Sequence, residues 1–129
     1  MSNDGYVHDA SVVLAFLRRE TGAERARGML ADAHISAANI IEVRSRLLDL
    51  GMEDNLVDDL VGPLPLTVHP LTEKQARTAA TLRNSTRKIG LSLGDRACLA
   101  LAIERNATAV TMDRAWADLN LGVNVLVLR

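Results

Sequence analysis

Short β-like segments alternate with amphipathic or apolar helical segments along nearly the whole chain. Such alternation predicts parallel strands joined by right-handed helical crossovers, and therefore a sheet with helices on both faces. Near-continuous apolar runs such as residues 123–128 are typical of strands that are buried on both sides. We therefore predict an α/β fold, a three-layer sandwich with a central parallel sheet of about five strands.

The individual elements follow from hydrophobic periodicity, capping residues, glycines and prolines. We expect strands over residues 6–8, 34–37, 66–69, 109–111 and 123–128. We expect helices over residues 10–19, 23–31, 40–50, 54–61, 72–88 and 93–105, and a short helix around Trp116. The helix over residues 93–105 is so apolar that it must be buried on most sides.

The chain has 129 residues, of which 48% are hydrophobic and 24% charged, and its net charge is −1. This composition is typical of a globular protein and excludes collagen-like, coiled-coil and disordered chains. We expect one domain over residues 1–129. The lone Cys98, together with the lack of a signal peptide or a bilayer-spanning apolar run, favours a cytoplasmic protein that does not use a membrane.

Four acidic residues stand where predicted strands end or where the following helices begin. They are Asp9, Glu42, Asp95 and Asp113. Glu42 is expected in the first turn of the helix over residues 40–50, and Asp95 near the start of the helix over residues 93–105. Because the carboxyl ends of parallel strands form the working crevice of an open α/β sheet, we expect these carboxylates to converge there.

Each acid also has a purely structural interpretation. Asp9 and Asp113 could simply cap the helices that follow them. Asn39 with Glu42 matches a capping box, and Ser92 with Asp95 matches another. Capping does not require all four to share one sheet edge, and clustered carboxylates repel one another unless a cation is bound. Oxygen ligands with no Cys or His partner at ligand spacing favour Mg²⁺ or Mn²⁺ over zinc.

Four segments together resemble the PIN-domain family, and within it the VapC-type ribonuclease toxins of bacterial toxin–antitoxin pairs. They occur in the order and spacing of that family, over residues 7–15, 36–43, 90–102 and 111–116. The resemblance implies a Mg²⁺- or Mn²⁺-dependent endoribonuclease that hydrolyses RNA phosphodiesters. It also implies a homodimer and inhibition by a small cognate antitoxin protein. The implied catalytic and metal-binding residues are Asp9, Glu42, Asp95 and Asp113.

Several neighbours of the acids are candidates for supporting roles. Ser11, Asn39 and Thr111 are candidates for hydrogen bonds that orient the carboxylates. Arg96 and Arg114 each follow a proposed ligand directly, so they are candidates for contact with RNA phosphate. Basic residues are frequent over residues 74–96, which suggests that RNA approaches this later part of the chain.

The residue before the first aspartate is usually aliphatic in the PIN-domain family, but here it is His8. Adjacent strand residues face opposite ways, so we expect the His8 ring to point away from the metal site.

Two other classes of protein stay open at this point. A catalytically inactive PIN-like domain that only binds would share these motifs. A Mg²⁺-binding receiver-type signalling domain has a similar size and acid cluster. However, neither lysine lies beyond residue 88, and the third strand ends at His69 without an acceptor aspartate. Glycine-rich dinucleotide and P-loop motifs do not occur, which argues against a nucleotide-binding module.

Overall fold

The computed structural model describes residues 5–129. The strands of this range are β1 (Tyr6–His8), β2 (Ala33–Ser36), β3 (Leu66–His69), β4 (Thr108–Thr111) and β5 (Val125–Val127). The α-helices are α1 (Ala10–Leu17), α2 (Ala23–Arg27), α3 (Ala37–Asp49), α4 (Asp54–Val61), α5 (Glu73–Thr86) and α6 (Leu93–Arg105). A short 3-10 helix, Arg114–Asp118, joins β4 to β5.

The described strands form one parallel sheet in the order β3-β2-β1-β4-β5. Val7 of β1, the central strand, pairs with His34 of β2 on one side and with Ala109 of β4 on the other. This confirms the predicted α/β class and the five-stranded parallel sheet. The strand order reverses direction at β1 and β4, and such a reversal leaves a crevice at the carboxyl ends of the two strands.

The same strand order excludes a receiver-type signalling domain. Receiver domains follow the order 2-1-3-4-5, in which the third strand lies at the centre of the sheet. Among the described strands of this protein, β3 lies at the edge of the sheet, where it pairs with β2.

Helices cover both faces of the sheet, and apolar clusters fill the two layers. On one face, α5 and α6 cover a cluster that includes Val7 and Leu99. On the other face, α1, α3 and α4 cover a cluster with Ile35 and Val43. A neighbouring cluster beneath α1 includes Val110 of β4. These layers place the beginnings of α1, α3 and α6 near the carboxyl edge of the sheet.

Helix α6 packs against β1, β2 and β4 and is flanked by α3 and α5. Residues 97–102 are all buried, and most of them are small. Small side chains let a helix approach the sheet closely, so this helix can form part of the core. The prediction of a helix buried on most sides is confirmed.

The structure changes one boundary that matters for the site. Helix α3 begins at Ala37 and not at residue 40, because the Ser36 hydroxyl accepts a hydrogen bond from Ala38 N (3.1 Å) and caps the helix. The prediction that Asn39 caps this helix is therefore wrong. Glu42 consequently lies in the second turn of α3 and not in the first.

The other predicted elements are present with smaller changes in length. The last strand shortens from residues 123–128 to β5, and the short helix before it has 3-10 geometry. Trp116, within that helix, is fully buried against the α6 side of the sheet. Among the helices of residues 5–129, none has both the length and the apolar character needed to cross a membrane.

Candidate functional site

The crevice between β1 and β4 holds Asp9, which follows β1 and caps α1. Asp9 is only 4% exposed. Its carboxylate accepts hydrogen bonds from Ser11 Oγ (2.6 Å), Thr111 Oγ1 (2.5 Å) and Val12 N (3.2 Å). These bonds favour the charged carboxylate, but burial has the larger effect and raises the pKa of Asp9 to about 6, with a further rise from Asp95.

Two hydroxyl groups connect Asp9 to the segment that follows β4. The Thr111 hydroxyl donates to Asp9 and accepts from Asp113 N (3.0 Å). The Ser11 hydroxyl donates to Asp9 and accepts from Met112 N (2.9 Å). Asp113 is exposed, and its Oδ1 accepts from the backbone N–H two residues further on (3.0 Å). The network therefore orients Asp9 inside the crevice and places Asp113 at its rim.

Glu42 reaches the crevice from α3 with the help of Asn39. The Asn39 Nδ2 donates to Glu42 Oε1 (2.8 Å) and to the carbonyl oxygen of Gly94 in α6 (3.0 Å). Asn39 is fully buried, so it joins α3 to α6 and holds the Glu42 carboxylate against the first turn of α6. Burial raises the pKa of Glu42, the Asn39 hydrogen bond lowers it, and the charge of Asp95 raises it further.

Gly94 lies where the Glu42 carboxylate leaves no space for a side chain, because an added Cβ would overlap with that carboxylate. We expect Gly94→Ala to lower the free energy of unfolding by about 1 kcal/mol, since the Glu42 carboxylate, the end of a flexible side chain, must shift and lose its hydrogen bond from Asn39. Gly28→Ala is the matched control, because its added Cβ would make only ordinary contacts. Chemical denaturation measures both. The same loss in a Glu42→Ala background would contradict this explanation.

Asp95 lies in the first turn of α6 and forms the predicted capping box with Ser92. Asp95 Oδ2 accepts from Ser92 N (2.9 Å), and Ser92 Oγ accepts from Asp95 N (3.1 Å). The same carboxylate is close enough to Asp9 and Glu42 to raise the pKa of each. Capping and clustering are therefore compatible at this residue.

The fully buried Cys98 lies close to three of the acids, with its Sγ 3.8 Å from the carbonyl oxygen of Val7. Burial raises the pKa of the Cys98 thiol, and the charges of Asp9, Asp95 and Glu42 raise it further. The thiol therefore stays protonated and unreactive. Its surroundings also show that these three carboxylates share one region near the start of α6.

The acid cluster fits a hard divalent cation that is held partly through water. Within residues 5–129, no three or more His, Cys, Asp or Glu side chains are grouped so that they could hold an ion together. Mg²⁺ commonly binds through one or two carboxylates and keeps several of its waters. Burial is the main cause of the raised pKa values of Asp9 and Glu42 and the charge of Asp95 adds to both, so a bound cation would favour the charged form of each.

The structure places the two candidate RNA-contact arginines differently. Arg96 Nη1 donates to the carbonyl oxygen of Ala79 (2.8 Å), and its Nε is buried, so its guanidinium links α6 to α5. Arg114 is exposed at the rim of the crevice, and its Nε donates to the carbonyl oxygen of Arg129 (3.4 Å). Arg114 and Arg129 line a pocket of about 410 Å³ together with Asp113.

Gly94 and Arg129 are site residues that sequence reasoning does not identify. The signal for Gly94 is a glycine within the first turn of an apolar helix, a position where glycine lowers helix propensity. Arg129 carries no local signal, because its place beside the crevice depends on the pairing of β5 with β4.

A parallel sheet with the buried Asp9 and the partly exposed Glu42 and Asp95 at the β1–β4 crevice defines an α/β protein with an acidic site. The chain matches the PIN domain over residues 6–120. It is 34% identical over 108 residues to a VapC ribonuclease of Mycobacterium bovis and to ribonuclease VapC28 of Mycobacterium tuberculosis, and these matches cover 75% of this chain and 80% of each relative. The chain therefore belongs to the PIN-domain family.

Solved structures share the fold at low sequence identity. A toxin–antitoxin complex from Klebsiella pneumoniae contains a chain with a TM-score of 0.75 and 17% identity, with 97% of this chain and 98% of that chain covered. VapC20 of Mycobacterium tuberculosis, described as a toxin that cleaves the sarcin–ricin loop, has a TM-score of 0.71 and 13% identity, with 93% and 99% covered. These similarities confirm the three-layer α/β fold.

Proposed function

We propose that this protein is a Mg²⁺- or Mn²⁺-dependent endoribonuclease and the toxin of a type II toxin–antitoxin pair. The observation that carries the proposal is the buried, hydrogen-bonded Asp9, which shares the crevice with Glu42 and Asp95. Two relatives at 34% identity are named as VapC ribonucleases, which favours an active enzyme over a PIN-like domain that only binds.

The four acids divide the work of the proposed site. Asp9 and Asp95 would hold the cation, directly or through water, and Asp113 would complete its surroundings from the rim. A bound divalent cation supplies a readily deprotonated water at neutral pH and stabilises charge on the phosphate and the leaving oxygen. Ser11 and Thr111 keep the Asp9 carboxylate in one orientation, so it is ready for the cation without rearrangement.

Glu42 is suited to accept the proton of the attacking water. Burial and the charge of Asp95 raise its pKa, and a base whose pKa is closer to neutrality accepts a proton more readily. Asn39 donates to Oε1, which leaves Oε2 for the proton. In the proposed hydrolysis, the water oxygen bonds to phosphorus, the bond from phosphorus to the leaving ribose oxygen breaks, and that oxygen takes up a proton.

The proposed substrate is RNA, which Arg114 would contact beside the cleaved bond. A small cognate antitoxin protein would bind over the acidic crevice, and a solved chain of the same fold comes from a toxin–antitoxin complex. We further propose that residues 1–129 form one domain, that the protein is a homodimer, and that it acts in the cytoplasm, where RNA and antitoxin are made.

Purified protein is expected to cleave total bacterial RNA in the presence of Mn²⁺ or Mg²⁺ and to stop when EDTA is added. The same ions are expected to raise the Tm, because they bind the folded site and not the unfolded chain. A hundredfold excess over Kd stabilises by about 2.7 kcal/mol, which corresponds to a rise of about 10 °C for a domain of this size. Gel analysis and calorimetry measure the two effects.

The control is Asp59→Asn, which removes an exposed carboxylate from α4. This variant should keep both the cleavage and the rise in Tm. RNA binding without any cleavage would instead favour the binding-only domain. Cleavage that continues in EDTA would contradict the metal dependence.

A further inference from the structure

Arg19 has a left-handed backbone conformation, with a φ of +54°. It lies just beyond α1, where the backbone N–H of Glu20 donates a hydrogen bond to the carbonyl oxygen of Ala15 (2.9 Å). Glycine is usual at such a helix end, because other residues are strained there. The other non-glycine residues with positive φ in the described range are Asp32 and Asn106, which are residue types that tolerate it. An arginine held there at a cost in stability indicates a use for its side chain.

The Arg19 side chain lines an open groove of about 1020 Å³ between α1, α2 and the segment after β5. Half-buried Phe16 and Leu17 and buried Leu128 form its apolar part. The charged residues that line the groove are Arg19, Arg25, Arg27, Arg129, Glu20 and Glu24. Positive charge therefore exceeds negative charge in this groove.

Much of this positive charge is available to a ligand. Glu20 is paired with Arg18 (2.9 Å) and lies 3.9 Å from Arg129, so neighbouring arginines neutralise its charge. Arg19 and Arg27 are exposed, and within residues 5–129 neither side chain forms an ion pair or a hydrogen bond. The groove therefore presents two unpaired guanidinium groups.

The groove is continuous with the acidic crevice through Arg129. This residue lines both the groove and the pocket that contains Asp113 and Arg114. Its guanidinium donates to the carbonyl oxygen of Thr21 (3.3 Å), and its own carbonyl oxygen accepts from Arg114 (3.4 Å). An extended ligand can therefore run along one surface from Asp113 past Arg129 to Arg19.

We propose that this groove binds the sugar–phosphate backbone of RNA on one side of the cleaved bond. The inference rests on the proposed ribonuclease function and adds a binding surface to it. Clustered carboxylates repel a polyanion, so affinity for RNA must come from cations beside them. Guanidinium groups suit this role, because each can donate two hydrogen bonds to one phosphate. Phe16, half-buried, is the one aromatic side chain among the groove-lining residues of the described chain, which fits backbone contact better than base stacking.

The basic segment over residues 74–96 fits this role less well. Helix α5 packs on α6, in the layer opposite to α1, and therefore lies across the sheet from the groove. Arg77 of α5 is already paired with Glu73 (2.7 Å). RNA contact by this segment is thus a competing outcome that the same experiment decides.

Arg19→Gly tests the proposal, because it should change stability and RNA binding in opposite directions. Glycine relieves the backbone strain, so the Tm should stay equal or rise, whereas loss of the guanidinium should weaken binding. In an Asp9→Asn parent that does not cleave, affinity for a fluorescently labelled RNA hairpin is expected to fall about three- to tenfold. The slope of log affinity against log salt concentration should become shallower by about 1.

Arg77→Ala is the matched control, since it removes the same charge from α5 and should leave RNA affinity unchanged. Arg27→Ala, at the exposed end of α2, is the second variant should Arg19→Gly fail to fold. Unchanged RNA affinity in the groove variants would overturn the proposal, as would a larger loss in Arg77→Ala. A groove variant with unchanged RNA affinity that no longer binds an acidic peptide would assign the groove to a protein partner. That result would also overturn the proposal.

Failure of the proposed enzyme function gives a different result. In that case, protein with an intact Asp9 cleaves no RNA with Mn²⁺, while the Asp9→Asn protein still binds the hairpin in a manner that depends on Arg19. The groove would then stand as an RNA-binding surface, and the ribonuclease assignment would be wrong.

Discussion

Asp9→Asn is expected to reduce metal-dependent RNA cleavage on the order of 10³-fold, because it removes a proposed cation ligand and the stabilisation that the cation supplies. The same substitution should stabilise the metal-free protein above pH 6. Burial raises the pKa of Asp9 to about 6, so the folded protein must lose a favourably bound proton as the pH rises through that value. The asparagine side chain carries no charge and avoids this loss, which is worth about 1–3 kcal/mol.

Activity and stability therefore move in opposite directions in this variant. The measurements are cleavage rate with Mn²⁺ and chemical denaturation in EDTA at pH 5 and pH 8. The stabilisation should be largest at pH 8 and should shrink as the pH falls below 6, where Asp9 of the parent protein is protonated. An asparagine variant that cleaves at the parent rate, or that is less stable at pH 8 in EDTA, would refute the role assigned to Asp9.

His8→Val is expected to remove most of the acid sensitivity that His8 contributes to the fold. His8 is fully buried, and within residues 5–129 neither ring nitrogen makes a hydrogen bond of good geometry. Burial lowers the pKa of His8 to about 4, an effect that the nearby backbone of Met29 offsets only in part. The unfolded chain binds a proton at this side chain below pH 6.5 and the folded chain does not, so stability falls as the pH drops toward 4.

The expected size of this effect is about 2–3 kcal/mol between pH 7 and pH 4.5. Asp9 has a raised pKa and contributes in the opposite direction, but it is present in both proteins and cancels in the comparison. Denaturation curves of the parent and of His8→Val at a series of pH values measure the difference. Parallel pH dependences in the two proteins would mean that the buried ring is not the source of the acid sensitivity.

The predicted fold agrees with the structure because the local sequence signals and the order of strands and helices both indicate a parallel α/β sheet. Apolar runs, helix caps and glycines define the elements, and alternation of strands and helices requires parallel pairing. The start of α3 is the informative error. Asn39 and Glu42 match a capping box, but Ser36 caps the helix three residues earlier, and Asn39 turns into the interior to contact Gly94. By local sequence either Ser36 or Asn39 could cap the helix. The contact of Asn39 with Gly94 of α6 leaves Ser36 as the cap.

The site was predictable to the extent that strand topology determines it. The carboxyl ends of parallel strands share an edge, so the proximity of Asp9, Glu42 and Asp95 could be expected from their positions in the chain. The contacts of Arg96 could not, because its guanidinium meets a carbonyl oxygen of α5 that is 17 residues away in sequence. The lack of space for a side chain at Gly94 could not be predicted either, because it depends on the Glu42 carboxylate of α3.

The hydrogen bond between Asp9 and Thr111 joins residues that are 102 positions apart in the chain. A ribosome makes the chain from its N-terminus, and strand β4 can pair with β1 only after it has been synthesised and released. Until then Asp9 lacks the Thr111 hydroxyl, and the crevice lacks the side that β4 forms. A chain with this strand order therefore cannot complete the crevice before β4 has emerged from the ribosome and paired with β1. Assembly of the acidic crevice is therefore a late step in the folding of this chain, although Asp9 directly follows its first strand.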